Sequence, residues 1–450
     1  MTLSVSPLLT DLYQFTMLQT YLDAGVDQEA VFEFYVRQLP KKRGFLVACG
    51  LESVLDFLET FRFTPDEIRK LAGTRRFSGK LLDYLAACSF KGDVHALPEG
   101  TIFFADEPVL RVTAPLPVAQ LVETRIINLL SFEIGIATKA VRCLQAAGER
   151  ALLVDFGLRR AHGAEAGMLA ARASYAMGFA GTSNVLAGTQ YGIPLYGTMA
   201  HSFIEAMGSE EEAFLAFARS NPGNVTLLID TYDTLSGAHH AARAALALAP
   251  EGIKTSAVRL DSGDILGLSF EVRRILDGYG LTHVKIFASG NLDEYEIDRL
   301  LTASAPIDGL GVGTKLDTIE DAPYLECAYK LMEYAGKPTM KYSSGKQTMP
   351  GAKQIFRRFQ EGIMAGDTVS LSNSGVEGLP LLEHAMKEGR RLGSSPSFAS
   401  IASRTQDQLR TLPANLRGLA STASYPVDID PGVLRLREAA QALIDARRKL

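Results

Sequence analysis

The chain has 450 residues, 47% of them hydrophobic and 22% charged, which is ordinary globular composition and excludes a disordered or fibrous protein. A net charge of -5 argues against a general nucleic-acid binder, yet leaves room for a local anion site built from a few cations and backbone amides. This length points to two or three domains. Cys49, Cys88, Cys143 and Cys327 are scattered, with no C-x-x-C pair, and read as reduced thiols of a cytoplasmic protein. The opening MTLSVSPLLTDLYQF has neither a basic stretch nor a long apolar one, so no signal peptide is expected. No apolar run is long enough to span a bilayer.

In chain order, Thr10 is expected to cap a helix from Asp11 to Ala24, with Leu12, Phe15, Leu18 and Leu22 on its apolar side and Gly25 as its stop. AVFEFYVRQ, aromatic and β-branched, reads as a strand. Thr64-Pro65-Asp66-Glu67 is a helix start, with a capping threonine, proline at the first helical position and glutamate at the third. Residues 93–113 read as three short strands separated by Pro-Glu-Gly and Asp-Glu-Pro turns. Pro115 and Pro117 introduce a long apolar helical stretch ending near Gly148, and a domain boundary falls within it.

From about residue 150 the pattern changes. ALLVDFG, IPLYGTM, VTLLID, AVRLD, VKIFASG and GLGVGT are short apolar runs, each followed by helical sequence. Strands covered on both faces read this way, and their succession predicts a parallel barrel or a doubly wound sheet. In either architecture the site lies at the carboxyl ends of the strands, where this sequence puts Asp155, His201, Asp230, Asp261, Ser289 and Thr314. Beyond about 325 the pattern is less regular. KYSSGKQTMPGAKQIFR reads as strand, loop, strand; SSPSFASIAS as a solvated linker; and the last 45 residues as helices around a YPVDIDPG turn.

Five segments could carry chemistry. DFGLRRAHG offers Asp155 to orient a cation, Phe156 to stack on a flat heteroaromatic ring and Arg159 to grip a phosphate or carboxylate through its planar fork. YGTMAHSFIEA puts His201 at the start of a helix, where the dipole and free amides favour anions, and imidazole is a competent nucleophile towards phosphorus. No zinc-type spacing surrounds it. In RLDSGD, a strand ending at Asp261 turns Arg259 and Asp261 to the same side. FASGNLDEYEI and GLGVGTKL are glycine-containing loops whose Ser289, Gly290, Gly313 and Thr314 can present amides and hydroxyls to phosphate, although neither is a Walker loop. Each segment also has a plain structural alternative, such as a strand-end ion pair, a satisfied histidine or a capping aspartate; together they describe one strand-end pocket.

TDLYQFTM, DFGLRRAHG, FAGTSNVLAG, YGIPLYGTMAHSFIEA, RLDSGD, FASGNLDEYEI, GLGVGTKL and KYSSGKQTMPGAKQ, in this order, resemble the nicotinate phosphoribosyltransferase family from about residue 7 to the C-terminus. The resemblance implies an irregular α/β barrel of the type II phosphoribosyltransferase kind, over residues 136–325. It also implies an α+β domain built from residues 1–135 and completed by about 326–450. It further implies a homodimer with shared active sites, and the conversion of nicotinate and 5-phosphoribosyl 1-diphosphate to nicotinate mononucleotide and diphosphate, a step of NAD biosynthesis, with ATP hydrolysis and magnesium.

By the same resemblance, Tyr13 and Phe156 sandwich the pyridine ring, Tyr13 from the partner subunit, while Thr198 and Arg259 bind nicotinate. Arg159 and Asp261 lie beside the phosphoribose and its leaving group, Ser289, Gly290, Gly313 and Thr314 hold phosphate, and His201 takes a phosphoryl group from ATP. The magnesium ligands are not identified. Nicotinamide-using relatives carry an aspartate where this chain has Ser183; a carboxylate there would repel nicotinate and a serine does not, so nicotinate is the expected substrate. Nicotinamide phosphoribosyltransferase and an inactive dimeric binding protein are the alternatives.

Overall fold

The computed structural model describes residues 6–342, 348–421 and 423–447. The chain forms two compact units, one of Met1–Gly135 with Tyr324–Leu450 and the other of Ile136–Pro323. The junction at 135/136 falls inside the helix Glu123–Ala147.

The first unit is α+β. Its main sheet has seven antiparallel strands in the order 337–338, 327–334, 29–36, 108–115, 93–96, 383–387 and 390–391, so strands from the C-terminal part flank a central block from the N-terminal part. A second sheet of four holds 379–380, 353–360, 363–371 and 427–429. The Thr64 helix start is a capping box, with Glu67 N–H donating to the Thr64 hydroxyl and Thr64 N–H to the Glu67 carboxylate.

Several expectations are corrected in this unit. The first helix, Leu12–Ala24, is preceded by Asp11 at its cap position, and the Thr10 hydroxyl is buried without a hydrogen-bond partner among the described residues. The Ser-rich stretch is no linker beyond its first residues: Phe398–Thr411 is a helix, because Ser397 accepts from Ser400 N–H and Ile401 and Thr405 are buried. The YPVDIDPG segment carries a strand, Val427–Ile429, parallel to Ile363–Leu371, before Pro431 starts the last helix. In KYSSGKQTMPGAKQIFR the later strand is Lys353–Gln360; residues 343–347 lie outside the described residues.

The second unit is a curled parallel sheet of six strands with helices between them. Its strands are β1 (Leu152–Asp155), β2 (Gly181–Thr182), β3 (Val225–Leu228), β4 (Thr255–Leu260), β5 (Lys285–Ser289) and β6 (Gly309–Val312). Their spatial order is β2-β1-β6-β5-β4-β3. Val154, Leu228, Val258, Leu260, Ile286, Ala288, Leu310 and Val312 are buried, as the unalternating apolar runs require.

One expected strand fails. IPLYGTM makes only a single bridge, Leu195 to Thr182, and the strand at that place is Gly181–Thr182. Pro194 has no N–H to donate to a ladder, so the segment holds on by isolated bonds. Thr182 N–H donates to Pro194 O (3.1 Å), Tyr196 N–H to Thr182 O (3.0 Å), and the Thr198 hydroxyl to Thr226 O of β3. β2 and β3 are the two edges of the sheet, so this irregular segment links them and closes the barrel.

Candidate active site

Arg259, the penultimate residue of β4, aims its guanidinium at the adjacent strand end. Its Nε donates to Ser289 Oγ (2.8 Å) and its Nη2 to Asp261 Oδ1 (2.7 Å), while Ser289 Oγ donates to the same Asp261 oxygen (2.6 Å). β4 ends at Leu260, one residue short of the expected end, yet Asp261 still falls on the side of Arg259, as their 2.7 Å ion pair shows. Burial alone would raise the Asp261 carboxyl, but the Arg259 charge, the Ser289 and Arg259 hydrogen bonds and the neighbouring His201 together hold it below its ordinary value. Asp230, just past β3, fixes the loop from behind: its Oδ2 accepts from Asp261 N–H (3.0 Å) and from the Ser262 hydroxyl (2.6 Å).

His201 opens the short helix His201–Met207 and is half-buried. Its Nδ1 lies 3.1 Å from the Thr231 hydroxyl and its Nε2 lies 3.8 Å from Asp261 Oδ2. With Nδ1 engaged by Thr231, Nε2 is the nitrogen that faces the strand ends.

The Phe156 ring is seated by what its neighbour lacks. A Cβ at Gly311 of β6 would stand 2.5 Å from this ring, so glycine is required for it to lie there. The Arg259 guanidinium lies 5.6 Å from the ring centroid, a cation–π contact that ties the aromatic group to the ionic one. At the two glycine loops, Gly290 has φ 99°, and a Cβ there would meet Asp261 O at 2.2 Å. Gly313 precedes the turn Thr314–Asp317, and Thr314 is exposed at its start.

Asp155 ends β1 fully buried. Its Oδ2 accepts from the Thr182 hydroxyl (2.6 Å) and its Oδ1 from Gly157 N–H (2.8 Å). It is therefore a scaffold for the loop after β1. Ser183, half-buried, gives its N–H to Asp155 O (2.9 Å). Arg159 is exposed on the 3-10 turn Leu158–Arg160.

The structure thus brings Phe156, His201, Arg259, Asp261 and Ser289 into one connected group at the strand ends. Thr198 is half-buried on the closing segment. Tyr13 lies in the other unit, 45% exposed, with its hydroxyl donating to Glu123 (3.1 Å); burial and that carboxylate push it up to about 12. Sequence reasoning missed Thr182, Thr231, Gly311 and Asp317. Only Thr231, directly after a strand-end aspartate, had a local signal.

A parallel α/β barrel with an arginine–carboxylate–serine cluster, a histidine and two glycine loops at its strand ends defines a phosphoribosyltransferase of the type II fold. Family models agree: the nicotinate phosphoribosyltransferase N-terminal domain matches residues 8–131 and the nicotinate phosphoribosyltransferase family matches residues 151–357. A nicotinate phosphoribosyltransferase of Mycobacterium tuberculosis is 46% identical over 97% of this chain and 95% of its own length. One of Bacillus subtilis is 37% identical over 93% of this chain and 92% of its own. The crystal structure of human nicotinic acid phosphoribosyltransferase superposes with a TM-score of 0.86, at 29% identity, covering 96% of this chain and 99% of that one. The chain belongs to the nicotinate phosphoribosyltransferase family.

Proposed function

We propose that this protein joins nicotinate to 5-phosphoribosyl 1-diphosphate, forming nicotinate mononucleotide and diphosphate, with ATP hydrolysis coupled through phosphorylation of His201. The observation that carries this reading is the Arg259–Asp261–Ser289 cluster under the Phe156 ring, with His201 Nε2 at 3.8 Å from Asp261.

The pyridine ring stacks on Phe156, with Tyr13 of a second copy on its other face, and its carboxylate meets Arg259 and Thr198. Ser183 brings no charge against that carboxylate, as an aspartate would. The ring nitrogen forms the bond to the anomeric carbon as the bond to the diphosphate oxygen breaks and the electron pair leaves with diphosphate. No proton moves, so no general base is required. Positioning and charge stabilisation carry the step: the Asp261 anion faces the developing positive charge on the sugar, Arg159 offsets the leaving diphosphate, and Ser289, Gly290, Gly313 and Thr314 hold phosphate oxygens. In the ATP half-reaction, His201 Nε2 attacks the terminal phosphorus and ADP leaves; water later takes the phosphoryl group.

Asp230 and Asp261 fit a magnesium ion, because Asp230 Oδ1 is buried without a hydrogen-bond partner among the described residues and Asp261 Oδ2 is turned towards His201. The metal would supply positive charge against the phosphates. A homodimer is supported by exposed apolar groups in both units, Val185, Leu186 and Leu195 on the barrel and Leu9, Leu12 and Tyr13 on the first unit. Among the described residues no helix is long and apolar enough to cross a membrane, in keeping with a cytoplasmic enzyme of pyridine nucleotide biosynthesis.

The test is nicotinate mononucleotide formation with and without Mg-ATP, beside nicotinamide as rival substrate and beside His201→Ala. Product from nicotinate alone, with ATP stimulation lost in the variant, is the expected result. Product from nicotinamide instead would overturn the role of Ser183.

A further inference from the structure

We infer that one proton shared between Asp155 and Asp317 clasps the loop after β1 to the turn after β6, making Asp317 a positioning residue. The inference rests on the proposed function only in giving the first loop to the pyridine ring and the second to phosphate.

Asp317 ends the turn Thr314–Asp317 and is 1% exposed. Neither of its carboxyl oxygens receives an N–H or O–H donor from the described residues. A Cβ at Gly157 would stand 2.1 Å from the Asp317 Cγ, so this carboxyl packs directly on the Gly157 backbone. That same backbone N–H is bound by Asp155. Two buried carboxyls therefore meet across one glycine.

Among the described residues no cation is paired with either. Of the charged side chains on the surrounding elements, Arg159 and Arg160 are exposed, and Lys315 is committed to Asp293 at 2.7 Å. The groups that bear on Asp155 are the Thr182 hydroxyl, the Gly157 N–H and Asp317, and the charge that bears on Asp317 is Asp155; Glu165 and Arg172 of the helix Ala164–Met177, like these three, are not among them. Two adjacent anions in a dry site cannot both persist. Asp155 already has two donors and is the better anion; Asp317 has none and holds the proton, donating it to Asp155. Burial, then the Asp155 charge, push Asp317 well above the carboxylate range.

The clasp has a direction in pH. The native pair keeps a proton that the unfolded chain releases at ordinary carboxylate values, so its stabilisation is complete below that range and is lost as pH rises towards the native value. Once the proton leaves, the two carboxylates repel and the loops part. The competent fraction then falls about tenfold per pH unit, and the KM for nicotinate rises with it.

The experiment compares the full-length protein with Asp317→Asn, whose amide donates at every pH, reading Tm and the nicotinate KM from neutral to alkaline pH. The wild-type Tm should decline relative to the variant, and its KM should rise while the variant's stays flat on that limb. Asp155→Asn leaves one carboxyl in the pair from the other side, and serves if the first variant does not fold. Parallel Tm curves overturn the shared proton; diverging Tm curves with parallel KM profiles overturn its link to the substrate loops. Absence of any nicotinate turnover would fault the proposed function, and the Tm comparison would still decide the proton.

Discussion

Two carboxylate clusters sit at the carboxyl ends of the strands of one parallel sheet and behave in opposite ways. At the end of β4, Asp261 has an arginine at 2.7 Å and a serine hydroxyl at 2.6 Å, and is held below its ordinary value. At the ends of β1 and β6, Asp155 and Asp317 have each other and, among the described residues, no cation, and both are raised. Residue type and place in the fold are shared; what differs is whether a positive charge is buried with them. On the proposed function the first cluster presents an anion to substrate, and on the inference above the second holds loops together.

That contrast can be broken most sharply at Arg259. Arg259→Met leaves Asp261 without its counter-charge and, on the proposed function, nicotinate without its cationic partner, and kcat/KM is expected to fall about 10²- to 10³-fold, the loss seen on removing a preorganised charge-stabilising donor. The same variant tests the acid side. A lowered Asp261 contributes stability above the ordinary carboxylate range and loses it as pH falls through its lowered value. A Tm profile on the acid limb should be shallower in Arg259→Met than in the wild type.

Next in size is Gly157→Ala, which drives a methyl to within 2.1 Å of the Asp317 carboxyl carbon. Overpacking of this kind costs about 1–3 kcal/mol, to be read by denaturant unfolding, and the nicotinate KM should rise with it. Ser289→Ala removes one hydrogen bond from Arg259 and one from Asp261 while leaving their ion pair. A loss of about 1 kcal/mol, several-fold in kcat/KM, is expected. Thr231→Val should have the smallest effect on the main reaction, since it frees only the His201 Nδ1 tautomer. A change confined to the ATP-stimulated fraction of the rate would identify that contact as orienting the imidazole.

The chain's local chemistry was enough for much of this. Short apolar runs announced the buried parallel strands, the alternation in Arg259-Leu260-Asp261 put guanidinium and carboxylate on one side, and Thr64 with Glu67 specified a helix start that formed as written. Where the residue pattern misleads, a neighbour decides otherwise. Pro194 could not ladder, so IPLYGTM became a closing segment. The serines at 394–400 looked like linker because polarity alone does not reveal that Ser397 caps a helix whose Ile401 is buried. The seat of Phe156 was invisible in DFG itself, since it depends on the missing Cβ of Gly311, far along the chain. So was the pairing of Asp155 with Asp317, separated by five strands of sequence and joined only because β1 and β6 lie side by side. Sequence by itself determined which elements and reactive groups exist, because those follow from periodicity and side-chain chemistry. Tertiary structure alone decided which carboxylate has a cation beside it, because charge state in a dry site depends on neighbours that only the folded sheet brings together.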